Sequence, residues 1–156
     1  MKKKQSGFTM IELIMVIVIL GILAAFALPR FADFGTDARV ATMKGAAGAV
    51  KSASAIAHAQ ALVTKPVNDI ITLEGEEISM IGSYPAPTTD GIFKAAQLSL
   101  SDFKATSGGN ILKVTSLTNS DCSFSYTVSP AVTGTNAVAE KAPTINLDRL
   151  TEDNCK

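Results

Sequence analysis

From Phe8 to Leu28 the chain is apolar except for Thr9 and Glu12, and no other stretch restricts the fold so strongly. As a helix rising 1.5 Å per residue it is about 30 Å long, close to the thickness of a bilayer core. Lys2, Lys3 and Lys4 precede it, whereas beyond it Arg30 and Arg39 are balanced by Asp33 and Asp37. Basic flanks stay on the cytoplasmic side, so the expected orientation keeps the N-terminus in the cytoplasm. Glu12 is the anomaly. A charged acid at the centre of a membrane helix costs roughly 2.5–3.5 kcal/mol on insertion scales, less near an end, so its presence needs a reason.

Three readings compete. A removable secretory signal would use Ala25-Phe26-Ala27 as its small-residue cleavage pattern, but the apolar run from Leu13 is longer than usual and Glu12 interrupts its start. A plain single-span anchor leaves Glu12 unexplained. The third reading is a short basic leader cut between Gly7 and Phe8 on the cytoplasmic side, which leaves the apolar segment in the mature chain.

Gly7-Phe8-Thr9-Met10-Ile11-Glu12-Leu13 behind a lysine-rich leader resembles the type IV pilin signature of bacteria. The resemblance implies a membrane peptidase and methyltransferase that cuts between Gly7 and Phe8 and N-methylates Phe8. It implies an α+β fold, in which a long N-terminal helix packs its C-terminal half on a small antiparallel β-sheet. It also implies a homo-oligomeric helical filament, raised by an inner-membrane assembly platform from subunits first held in membrane lipid. In that setting Glu12 lies about one helical turn inside the new N-terminus. A protonated amine at Phe8 of a neighbouring subunit could pair with it, and removing one partner of a buried pair is strongly unfavourable. Glu12 and Phe8 are therefore the expected assembly residues.

Gly21 and Pro29 interrupt an otherwise good helix. Glycine costs about 1 kcal/mol relative to alanine, and proline removes a backbone donor at about 3 kcal/mol. Either the kinks are tolerated, as is common in membrane helices, or the segment loosens between them in a filament. After Pro29, Arg30, Asp37, Lys44, Lys51, His58 and Lys65 recur every seven residues as a polar stripe. Roughly opposite lie Met43, Ala46, Val50, Ala53 and Ala57. The helix is predicted to reach about Val63, with Pro66 ending it. The expected organisation is a leader over 1–7, a membrane or filament-core helix over 8–28, an amphipathic continuation over 29–65 and a globular head over 66–156.

In the head, Ile70 to Leu73 and Ile78 to Ile81 are short strand or loop candidates around Glu74-Gly75-Glu76-Glu77. Those acids read as a solvated turn in preference to a calcium site. Tyr84 to Gly91 reads as irregular connection, and Ile92 to Leu98 as a helical turn or more. The whole of 66–108 is expected to be a variable loop. Ile111 to Leu117 is a predicted strand. Cys122, Phe124, Tyr126 and Val128 alternate with polar residues, the period of a half-buried antiparallel strand. Ala142 to Leu147 is an expected edge strand with Pro143 at its start. The serine and threonine face is either plain exposed sheet or a surface that meets glycans.

The two cysteines, Cys122 and Cys155, fit no compact metal site, and the lone His58 is remote in sequence. In a chain that crosses a membrane they form either a disulfide in an oxidising compartment or two buried thiols. A bond would close a loop of roughly 33 residues and contribute about 3–4 kcal/mol. Acids and bases number 14 each; without the three leader lysines the net charge is 11 − 14 = −3. No field favours nucleic acid. No nucleophile–base pair, phosphate loop or metal cluster occurs at usable spacing, so no catalytic residue, cofactor or metal is expected.

Asp37 to Ala41 and Gly45 to Ala53 further resemble the mannose-sensitive haemagglutinin pilus subunits of marine Gram-negative bacteria. The expected function is thus a major subunit of a surface fibre for attachment and biofilm formation, touching host or surface glycans. The chain would sit in the inner membrane with its head periplasmic before assembly, and outside the cell afterwards. The alternative is a minor pilin or a type II secretion pseudopilin in a short periplasmic filament.

Overall fold

A computed structural model describes residues 7–66, 69–129 and 141–156, without side chains for 28–33. The leader residues Lys2, Lys3 and Lys4 lie outside these. The chain divides into two units, residues 1–36 and 37–156, and one helix, α1 (Met10–Thr64), contributes to both. It ends one residue beyond the predicted limit, just before the proline at 66. Helical residues run without interruption through Gly21 and Pro29.

In the first unit the helix is apolar on all sides from Leu13 to Ala27. The window Met10–Ala27 has a mean hydropathy of 2.8 and none of it is buried. It is long and apolar enough to cross a membrane.

In the second unit the helix changes character. Val40, Met43, Ala47, Val50, Ala53, Ala57 and Ala61 are buried, the three- and four-residue spacing of one helical face. Most are alanine, which lets strands approach closely. Asp37, Lys44, Lys51 and Lys65 of the heptad stripe are exposed, but His58 is half-buried.

That buried face meets two sheets, where the sequence predicts one. The first has order β1 (Ile70–Leu73), β2 (Glu76–Ile81), β3 (Tyr84–Pro85); the second has order β4 (Phe103–Gly108), β5 (Ile111–Ser116), β6 (Ser123–Thr127), β7 (Thr144–Asn146). All pairings are antiparallel. Ala57 and Ala61 pack with Ile71, Ile78 and Met80 of the small sheet. Val40 to Ala53 pack with Leu112, Val114, Phe124 and Tyr126 of the larger one.

The stretch 66–108, expected as a variable loop with strand or loop candidates at Ile70–Leu73 and Ile78–Ile81, holds four strands, and β1 and β2 fall on those candidates. Glu74 and Gly75 both take positive φ, 51° and 87°, the geometry of a two-residue hairpin turn. Glu76 and Glu77 belong to β2 instead of the turn. Tyr84-Pro85 is a short strand, followed by a kinked turn over Thr89–Phe93 in which Gly91 leaves helical geometry, with φ −99° and ψ −111°. Gly91 in that turn must be glycine, because a Cβ would collide with the Ala86 backbone.

Tyr126 ties the layers together. Its buried hydroxyl donates to the Pro85 carbonyl at 3.0 Å, and Ser54 Oγ of α1 lies 3.4 Å from the Tyr126 hydroxyl oxygen. Helix, small sheet and large sheet thus share one polar contact. Nearby, the His58 ring stacks on Tyr84 with centroids 4.2 Å apart. Its Nδ1 lies 2.9 Å from the Ser83 carbonyl. A carbonyl only accepts, so Nδ1 carries a proton.

Cys122 and Cys155 form a disulfide, with Cα atoms 4.6 Å apart. It fastens the short helix α2 (Glu152–Cys155) beside β6. Arg39 of α1 donates to the Cys155 carbonyl, and Asn119 to that of Lys156. The last residues are held by three separate devices.

Candidate functional site

The segment from Gly7 to Leu13 begins outside regular structure and becomes helix at Met10. Phe8 is 84% exposed. A Cβ on Gly7 would meet nothing within 4 Å among the described residues. Gly21 is the same: a side chain there would meet no neighbour, although glycine weakens a helix interior.

Thr9 and Glu12 close the helix end reciprocally. The Glu12 N–H donates to Thr9 Oγ1 at 3.3 Å. In return Glu12 Oε2 accepts from the Thr9 backbone N–H at 2.9 Å and from its hydroxyl at 2.7 Å. This is a capping box, with Thr9 at the N-cap and Glu12 three residues on. Two of the orphan donors of the helix start are thereby satisfied. The negative carboxylate also sits at the positive end of the helix dipole. Both effects reduce the cost of placing an acid at the end of an apolar helix.

Thr9 has no role in the pattern of apolar residues. The signal that finds it is the T-x-x-E spacing, Thr9-Met10-Ile11-Glu12. Glu12 is occupied through Oε2; its Oε1 has no hydrogen bond among the described residues. The carboxylate can thus hold its own helix end and still receive a second donor.

The other sequence-predicted residues lie apart. Gly21 and Pro29 are helical, and Cys122 and Cys155 form their bond in the second unit. Among the described residues no group of three or more His, Cys, Asp or Glu side chains gathers as a metal site.

Comparison with known proteins matches this segment to a family and a larger part of the chain to relatives. Residues 2–28 match the family model of the prokaryotic N-terminal methylation motif. A type IV narrow pilus major component of Thermus thermophilus is 39% identical over 106 residues, covering 68% of this chain and 90% of that protein. The fimbrial protein EcpB of Eikenella corrodens is 36% identical over 95 residues, 60% of each chain. The type II secretion system core protein G of Pseudomonas aeruginosa is 44% identical over 52 residues, 33% of this chain and 37% of that one. No solved structure matches.

Proposed function

Since the chain belongs to the type IV pilin family, we propose that it is the major structural subunit of a type IV pilus, a surface fibre used for attachment and biofilm formation. The observation that carries this reading is the Thr9–Glu12 box at the head of α1, whose apolar stretch Met10–Ala27 has no buried residue. Such a helix needs an apolar environment supplied from outside. Lipid can supply it first and other copies of the same helix later.

In this reading a prepilin peptidase cuts between Gly7 and Phe8 and methylates the new amine. The bare glycine fits a backbone that an enzyme must grip closely. The subunit waits in the inner membrane with its N-terminus cytoplasmic and its head periplasmic, and an assembly platform then moves it into the fibre. While it waits, Thr9 holds Glu12. On assembly the Phe8 amine of a neighbouring copy meets the free Oε1, and the pair is buried with its charges matched. Loosening between Gly21 and Pro29 would let helices settle against one another. The helical segments Asp37 to Ala41 and Gly45 to Ala53 support a subunit of the mannose-sensitive haemagglutinin kind.

Glu12→Val tests the assignment. With this variant as the sole subunit, the protein should insert and be processed but yield no fibres; normal fibre yield would reject the role of Glu12. N-methylated Phe8 as the first residue of purified fibres would establish processing. A second reading, a pseudopilin of a short periplasmic filament, draws on the likeness to the secretion protein over 52 residues. Electron microscopy of a deletion strain separates the two, because only a major pilin takes the long fibres with it.

A further inference from the structure

Two grooves of unlike charge flank the exposed side of α1 in the second unit. The first, of about 490 Å³, lies between Lys44, Gly48 and Lys51 of the helix and Pro143, Ile145 and Leu147 beside β7. The second, of about 400 Å³, lies between Ser52 and Ile56 of the helix, Glu74 and Glu76 of the β1–β2 hairpin, and Lys94. With 3.6 residues per turn, the helix residues of the two grooves point about 140° apart around α1. Their midpoints lie about five residues apart, which is about 7–8 Å along the helix axis.

No acid lines the first groove. Lys44 borders Asp37, Glu152 and Asp153 on another side, so Lys51 is the cation that the groove holds in excess. Lys51 is exposed and has no ion pair among the described residues. The second groove is rich in acids. Lys94 pairs with Glu76 at 2.8 Å and lies in the field of Glu77 and Asp90. Glu74 accepts from the Gln97 side chain at 2.6 Å. Four exposed carboxylates therefore stand against one ammonium. Each groove also exposes one large apolar side chain, Leu147 in the first and Ile56 in the second.

We propose that a second copy of this chain docks its acid-rich flank, with Glu77 and Asp90, against the Lys51 groove of the first. The opposite charges set the orientation of the two copies, and the contact covers Leu147 and Ile56 together. It joins two unlike surfaces of one chain, so each copy keeps a free flank for the next. A contact of this kind makes a ring if its rotation closes and an open filament if it does not. When successive copies stand parallel, the offset of the grooves along α1 moves each copy along the axis, which selects the filament. The inference rests on the fibre reading and gives it a contact between heads. One exposed ion pair is weak, but repetition along a fibre multiplies it.

The test uses the full chain in cells, each variant being the only subunit. Lys51→Glu should lower the yield of sheared fibres at least fivefold while the amount of subunit in the membrane stays unchanged. Glu77→Lys with Asp90→Lys should do the same, and combining all three changes should restore at least half of the yield. Lys65→Glu, which lies outside both grooves, should have no effect. Cross-linking gives a second readout. Fibres carrying both Lys51→Cys and Glu77→Cys, treated with a short bismaleimide, should give a ladder of multimers, because the native cysteines are bonded to each other and stay silent. Either single cysteine should give monomers alone. Dimers from Lys51→Cys alone would show like flanks meeting and overturn the contact, as would fibres of normal yield from Lys51→Glu or a triple variant no better than its parts. Wild-type cells without fibres would reject the filament reading and this contact with it, whereas wild-type fibres with an unaffected Lys51→Glu would reject the contact alone.

Discussion

One helix lives in two environments here, and its residues differ accordingly. Between Met10 and Ala27 it is rich in isoleucine, leucine, valine and methionine, and every one of these is exposed in the chain. Between Asp37 and Thr64 the buried face is mostly alanine. The first half has large side chains with nothing of its own chain to bury them against. The second has small side chains because two sheets come close. Hydrophobicity therefore does not by itself identify a core. Residue size and exposure together show that the first half needs a partner from outside and the second is satisfied from within.

The contrast predicts that damage to the head should register in head stability alone. Both tyrosines, Tyr84 and Tyr126, lie in the head and the chain has no tryptophan, so tyrosine fluorescence during denaturation in micelles reports that unit. The largest effect is expected from Cys122→Ser with Cys155→Ser, a loss of about 3–4 kcal/mol from opening a loop of 33 residues. Far-ultraviolet circular dichroism of the helical stem should persist where tyrosine fluorescence has already changed. Simultaneous loss of both signals would mean that the halves unfold as one.

A smaller loss should follow overpacking. Ala57 has no exposed surface and packs with Ile71, Ile78 and Met80, so Ala57→Leu is expected to cost about 1–3 kcal/mol. Ile17→Ala removes comparable volume from the stem, where Ile17 is 57% exposed, and should move the head transition by less than about 0.5 kcal/mol. If the stem substitution destabilised the head as much, the division between the two halves would fail.

What was legible in the sequence follows the same division. The membrane-length helix, Glu12 and the Gly7–Phe8 junction are all local patterns, read within a few residues. The helix face from Met43 to Ala57 and strands β5 and β6 also show as clear periodicity. β4 did not, because its inward residues are Phe103, Ala105 and Ser107. One large apolar side chain leaves no alternation, and the strand is held by its ladder to β5. Two strands of the small sheet coincide with the strand or loop candidates at Ile70–Leu73 and Ile78–Ile81, but the acids Glu76 and Glu77, read as a turn, lie in β2, with Glu76 paired to Lys94 at 2.8 Å. That contact holds the Glu76 carboxyl below its usual value, chiefly through the hydrogen bond. His58 reads as a rim residue on its stripe. Its stacking on Tyr84 depends on a turn 25 residues away, which helix periodicity does not contain.

Tyr126 offers the finest test, because it sets a buried polar knot in the head against an exposed one in the stem. The stem's knot, Thr9 with Glu12, is exposed; the head's, Ser54 with Tyr126 and Pro85, is buried. Burial raises the Tyr126 phenol from 10.0 to about 12, with the Ser54 hydrogen bond working the other way. The folded state therefore holds this proton more tightly than the unfolded chain does. Its contribution is intact below about pH 10, where both states keep the proton, and declines as pH rises toward 12. The slope for one proton is at most about 1.4 kcal/mol per pH unit. Tyr126→Phe should cost about 1 kcal/mol at neutral pH, through the unpaired Pro85 carbonyl, and should flatten the alkaline decline. Tyr84 remains as a fluorophore in that variant. An equally steep decline in Tyr126→Phe would place the alkaline weakness elsewhere and leave the buried knot with a packing role alone.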